Sequence, residues 1–341
     1  MKKAIIIIVI VLSCWHVNAQ VFTGVIYDKA TKQPIPDVYV YLDGTAIYTQ
    51  TDDSGKFELK VNKVLNTRLV LQHLLYNTVI IKNPFENLPT EFFMQEQLNI
   101  LDEAIVRASR FSRKQKLKAF KEQFLGETIA GRSCKIKNED DIELWYDLQT
   151  KTLFASSNRP IEVFNKYLGY TVLFNLVEFR TDYSSVTLNS DAVRKNFFAV
   201  TTSFIDITPI DRKIKNRRDD TYKASATFFF KNFVNNTLKE AGFKIYKDEY
   251  RVDHNLYFIT EDILSSKMIQ LISVQENMDS DELPLFSFSV LYNGKQSDIH
   301  FYTDYLIIDT YGHIDKIDKV HFTGYLGQCR AGNMLPFEYE P

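Results

Sequence analysis

The chain has 341 residues, with 41 Lys+Arg against 43 Asp+Glu and a formal charge of −2. A hydrophobic share of 45% and a charged share of 25% exclude a disordered or collagen-like chain. The even charge balance removes the long-range attraction on which a nucleic-acid binder relies. The 26 Phe and 19 Tyr favour pleated, half-buried surfaces, so a mainly β protein of two domains is expected.

Lys2 and Lys3 precede an apolar run from Ala4 to Leu12, and Val17-Asn18-Ala19 stands before Gln20. This is the order of a secretory leader, too short to span a bilayer, so residues 1–19 are expected to be removed after Ala19. The alternative is lipid attachment at Cys14, because Val11-Leu12-Ser13-Cys14 is a degenerate lipobox. An exported protein, periplasmic or associated with the outer membrane, follows from either reading. No later stretch has the length of a membrane-spanning helix, and charge clusters between 190 and 260 argue against a transmembrane barrel.

From Val21 to Val106 short alternating segments are separated by turn residues. Strands are expected from Val21, Val38, Lys56, Arg68 and Asn77, with tight turns at Asp43-Gly44 and Asp52-Asp53-Ser54-Gly55. Alternation places Val25, Val38, Val40, Phe57 and Leu59 in the core of a small sandwich.

The residues Gly24-Val25-Ile26-Tyr27-Asp28, Thr31, Pro34-Ile35-Pro36-Asp37-Val38, Gly44-Thr45 and Thr51 to Phe57 resemble the carboxypeptidase-regulatory-like domain. That resemblance implies a seven-stranded-type, prealbumin-like β-sandwich over 20–106 and an envelope setting, and it implies no active site. Leu101 to Val106 is similar to the last strand of this module where it precedes the plug of TonB-dependent receptors.

Residues 107–119 read as a basic linker carrying Arg107, Arg110, Arg113, Lys114, Lys116 and Lys118. Leu117, Phe120 and Phe124 sit at helical spacing there. A β-rich α+β domain of unknown function is expected over 120–341. Its strands are read at Ile142–Leu148, Thr152–Ser156, Tyr170–Phe179, Ser185–Leu188 and Phe197–Ile207, and then at Phe243–Tyr250, Leu256–Thr260, Leu285–Tyr292, Tyr305–Asp309 and Lys319–Leu326. Tyr311-Gly312 reads as the hairpin turn between the last two. One long helix is expected from Asp219 to Ala241, stopped by Gly242, with Tyr222, Ala226, Phe229, Phe230, Phe233 and Leu238 as its core face. Phe120 to Gly126, Pro160-Ile161, Leu168-Gly169-Tyr170 and Leu335 to Pro341 are similar to the partner domain of short envelope proteins that carry the first module.

Chemistry is sparse. His73, His254, His300, His313 and His321 have no ligand-like neighbours, and no nucleophile elbow or phosphate loop occurs. Asp279-Ser280-Asp281-Glu282 lacks the spacing of a calcium loop. The basic run from Arg212 to Arg218 reads as an exposed loop, or else as a grip on an anionic polymer, an acidic partner or a headgroup. Cys134 and Cys329 are expected to be free, buried thiols, a disulfide being the alternative. No catalytic, cofactor or metal residue is assigned. The expected function is a non-catalytic envelope protein docking a protein or glycan, the alternative being a hydrolase with an unrecognised site in 120–341.

Overall fold

The computed structural model describes residues 20–62, 64–97, 110–207, 209–263, 266–272 and 283–341. The leader with Cys14, the strand read at Leu101–Val106 and the acidic turn Asp279–Glu282 lie outside the described residues. The chain divides into two compact units, one of residues 20–43 and 47–97, the other of 44–46 and the described residues from 110 onward. No described helix is long and apolar enough to cross a membrane.

The first unit is a sandwich of seven described strands: β1 (Gln20–Asp28), β2 (Tyr39–Leu42), β3 (Tyr48–Gln50), β4 (Lys56–Val61), β5 (Leu69–His73), β6 (Tyr76–Ile81) and β7 (Glu91–Met94). One sheet runs β4-β1-β7, with β7 parallel to β1, and the other runs β3-β2-β5-β6. Their inner faces meet in one core, where Phe22, Ile26, Phe57, Leu59 and Phe92 pack with Val38, Val40, Leu42, Leu69 and Leu71. Val25 is corrected: the even-numbered residues of β1 face inward, so Phe22 and Ile26 are buried and Val25 is half-exposed. Local polar bonds fix the connections. Asp28 Oδ1 accepts from the amides of Ala30 (2.8 Å) and Thr31 (2.6 Å), and Asp52 Oδ1 from those of Ser54 and Lys56 (both 2.9 Å). The buried Thr51 hydroxyl accepts from Val38 N and donates to Ile35 O, both at 2.8 Å, which ties the proline loop to the sheet.

The second unit opens with α1 (Arg113–Leu125), so the helix starts inside the segment read as linker. Ser112 and Gln115 form a capping box there. Phe120 and Phe124 are fully buried beneath a six-stranded sheet. After α2 (Ile129–Arg132) its strands are β8 (Cys134–Ile136), β9 (Ile142–Asp147), β10 (Thr152–Ser157), β11 (Ile161–Asn165), β12 (Tyr170–Tyr183) and β13 (Val193–Asp206). A register shift between Leu176 and Glu178 flips the inward parity of β12, from Tyr170, Val172 and Phe174 to Phe179, Thr181 and Tyr183. The strand read at Ser185–Leu188 is corrected to the loop of this hairpin, because Tyr183 already pairs with Val193. At the other end β9 closes the sheet, and the carbonyls of Ile142 and Leu144 accept from Arg113 Nη1 (2.9 Å) and Lys116 Nζ (2.8 Å).

The single long helix is also corrected. The basic run forms α3 (Arg212–Lys223), and α4 (Ala226–Val234) follows. Asp211 caps the first by accepting from Ile214 N (2.7 Å), and Ser225 breaks the pair by accepting from Phe228 N (3.1 Å). Phe229, Phe230 and Phe233 of α4 enter a second core with Phe243, Phe258, Phe288 and Phe301. Around it lie β14 (Lys244–Lys247), β15 (Tyr250–Val252), β16 (Phe258–Ile263), β17 (Ser266–Leu271), β18 (Phe286–Tyr292), β19 (Lys295–Phe301), β20 (Tyr305–Asp309) and β21 (Val320–Phe322). The order is β15-β14-β18-β19-β21 in one sheet and β16-β17-β20 in another.

Tyr311-Gly312 does not join β20 to β21. Asp309 Oδ1 takes the amides of Tyr311 and His313, the chain folds back through an Ile308–Ile314 bridge, and β21 pairs with β19 instead. The strand read at Lys319–Leu326 is likewise shortened, since α5 (Gly324–Gln328) takes over after Phe322.

His254, in the short turn before β16, is buried with Nε2 3.1 Å from Phe233 O. Burial pushes its pKa below 6.5. The unfolded chain therefore binds this proton more readily, and stability present above pH 6.5 is lost as pH falls towards the folded value. Urea titrations at a series of pH values are expected to show a shallower loss between pH 7 and 5 in His254→Gln than in the native chain.

Candidate ligand cleft

A cleft of about 480 Å³ within the second unit is lined by Ala130 and Tyr167, which belong to the core beneath the six-stranded sheet, and by Tyr292, which packs on the core around α4. Ligand sites favour such junctions, and the volume is that of an ordinary small-molecule site. Five separate segments build it. Thr128 caps α2 by accepting from Gly131 N (3.1 Å) and donates to Asn333 Oδ1 (2.7 Å), which ties the C-terminal segment to one wall. The end of α3 brings Asp220 and Lys223. The β18–β19 hairpin brings Tyr292 and Lys295 across an Asn293-Gly294 turn with both φ positive, at 47° and 73°. Tyr325 comes from α5 and Tyr167 from the turn before β12.

Arg218 sets the angle of α3 against that turn. Only 5% exposed, it donates from Nε to Leu168 O (2.7 Å) and from Nη2 to Gly169 O (2.9 Å) and Asp206 Oδ1 (2.7 Å). Its guanidinium lies 3.6 Å from the centre of the Tyr170 ring. The residue before it, Arg217, lies 4.5 Å from the centre of the Tyr167 ring. The basic run is therefore half structural, which its composition alone does not reveal.

The three tyrosines of the cleft are held by packing. Tyr292 stacks on Phe243 at 4.4 Å, Tyr325 carries Lys295 Nζ at 3.8 Å, and Tyr167 is covered by Arg217. Burial pushes the Tyr325 phenol up to about 12, so it remains a hydrogen-bond donor at neutral pH. Arg132, Lys223 and Lys295 line the cleft against Glu127 and Asp220. A groove of about 440 Å³ beside α1 has Phe111 as its one aromatic lining residue, and its Lys118 is paired with Glu122 at 3.5 Å.

The histidines are dispersed. His313 pairs with Asp309 (3.0 Å), and His300 lies 2.8 Å from Ser287 Oγ and opposite His321 across β19 and β21. Among the described residues no group of three or more His, Cys, Asp or Glu could hold a metal ion.

Cys134 and Cys329 are free and half-buried, with their thiols directed to the carbonyls of Ala130 and Tyr325. Burial raises them to about 12 and about 11. Both are expected to alkylate at least roughly a hundredfold more slowly in the native protein at pH 8 than in urea, since the thiolate is the reacting form. Mass spectrometry of labelled peptides measures this directly.

Residues 22–106 match the family model of the CarboxypepD_reg-like domain. No curated protein matches the chain. The N-terminal module is thus a carboxypeptidase-regulatory-like β-sandwich, a kind of module found in envelope proteins.

Proposed function

We propose that the protein is an exported, non-catalytic binding protein of the cell envelope, and that the cleft of its second unit holds a carboxylate-bearing glycan segment. The lining of the cleft carries this reading: three packed tyrosines stand beside three cations and the amides of Asn333 and Gln328. Aromatic faces take the C–H surface of a sugar ring, polar side chains take its hydroxyls, and Arg132, Lys223 and Lys295 favour an acidic substituent. The carboxypeptidase-regulatory-like module supports the envelope setting, and the apolar leader pattern of residues 1–19 supports export.

Calorimetry with trigalacturonate, and with maltotriose as a neutral control, tests the cleft. Binding of the acidic trimer is expected to weaken at least roughly tenfold in Tyr292→Ala or Lys295→Ala, with the sugar recovered unchanged. No binding of either sugar, or binding indifferent to both substitutions, rejects the assignment. Fractionation of expressing cells tests the location, and a purely cytoplasmic protein rejects it.

A further inference from the structure

We propose that the exposed face of α3 docks the protein on an anionic phospholipid surface. Two of the described helices are strongly basic, and their side chains are used differently. On α1 the cations are largely engaged: Arg113 and Lys116 bind backbone carbonyls, and Lys118 and Lys121 pair with Glu122 and Glu139. On α3, Arg218 turns inward, whereas Arg212, Lys213, Lys215 and Lys223 are exposed and make no ion pair among the described residues. Lys166 is also exposed, next to Tyr167, whose carbonyl accepts from Arg217 at 3.4 Å.

Arg212, Lys213 and Lys215 crowd the first turn of the helix, behind the Asp211 carboxylate that caps it, at the end where the helix dipole disfavours cations. Arg212, Lys213 and Lys215 line neither the cleft nor the groove beside α1, so they suit an extended array of charges better than a small ion. Ile210, 42% exposed just before the cap, supplies an apolar tip beside the cations. Clustered Lys and Arg with a neighbouring apolar residue are the features by which a helix rests on anionic headgroups.

Protein beginning at Gln20, which retains every described residue, is sedimented with vesicles of phosphatidylcholine alone or mixed with phosphatidylglycerol. Association is expected with the mixed vesicles only, and it is expected to be lost at high salt. The variant Arg212→Gln/Lys213→Gln/Lys215→Gln should bind roughly a hundredfold more weakly. The charge-preserving Arg212→Lys/Lys213→Arg/Lys215→Arg should bind as the native chain does. Tyr292→Ala should leave vesicle binding unchanged, which separates this surface from the cleft. Binding to neither vesicle, equal binding to both, or an unaffected triple Gln variant overturns the proposal. Retention on immobilised polygalacturonate that persists in Tyr292→Ala but is lost in the triple Gln variant, without vesicle binding, also overturns it, and reassigns the patch to acidic glycan.

Discussion

Phe124→Ala is expected to destabilise the second unit by about 3–5 kcal/mol, the range for removing a large aromatic from a packed core. Phe124 is fully buried and lies 5.0 Å from Phe120, 5.2 Å from Phe174 and 5.3 Å from Phe198, ring centre to ring centre. These rings come from α1, β12 and β13, so no single element can move to fill the space left behind. The remaining void and the lost edge-to-face contacts therefore add to the transfer term. Urea unfolding followed by the fluorescence of Trp145, which stacks on Phe154 in the same sheet, reads the change. A midpoint within error of the native value would show that α1 is not part of this core.

Arg218→Met should cost about 2 kcal/mol in the same assay. Methionine keeps much of the volume but leaves the Leu168 carbonyl without its donor, at about 1–3 kcal/mol for a buried group, whereas the Gly169 carbonyl keeps the Ile207 amide at 3.0 Å. Asp206, whose side chain is 42% exposed, can return to water and adds little. Arg218→Lys should recover only a minor part, because an ammonium lacks the planar fork that reaches these acceptors while lying on the Tyr170 ring. Full recovery by lysine would mean that charge alone, and not the fork, holds α3 in place.

Legibility from sequence followed the distance over which each signal acts. The first module was readable because its motifs are local. Asp28 with Ala30 and Thr31, and Asp52 with Ser54 and Lys56, close their bonds within four residues. Helix α1 was read only from the spacing of Leu117, Phe120 and Phe124, and its start inside the segment read as linker was missed although the capping box from Ser112 to Gln115 is just as local. Strand β7 was missed, since its parallel pairing to β1 rests on no turn signal. Strand β19 was missed although its signal is present: Asn293-Gly294 is the dipeptide of a tight hairpin. The helix expected over 219–241 failed at Ser225, where a hydroxyl accepting from Phe228 N outweighs the helical period of the phenylalanines around it. The cleft had no sequence signature, because Thr128, Tyr167, Lys223, Tyr292 and Tyr325 converge only after two cores have formed. Arg218 was hidden for a related reason. Nothing in a run of five basic residues distinguishes the one that turns inward.

The two side chains that α1 lays on β9 have a consequence for how molecules of this protein meet one another. A terminal strand ordinarily offers its backbone as a template on which a strand from a second molecule can grow, the first step towards domain exchange or fibril formation. On β9 the carbonyls of Ile142 and Leu144 point the same way, two residues apart, and each already carries a cationic donor. An incoming strand would have to displace both cations and leave Arg113 and Lys116 beside the new pairing. Helix α1 thus acts as a guard rail for the sheet it packs beneath, keeping concentrated protein from polymerising through β9.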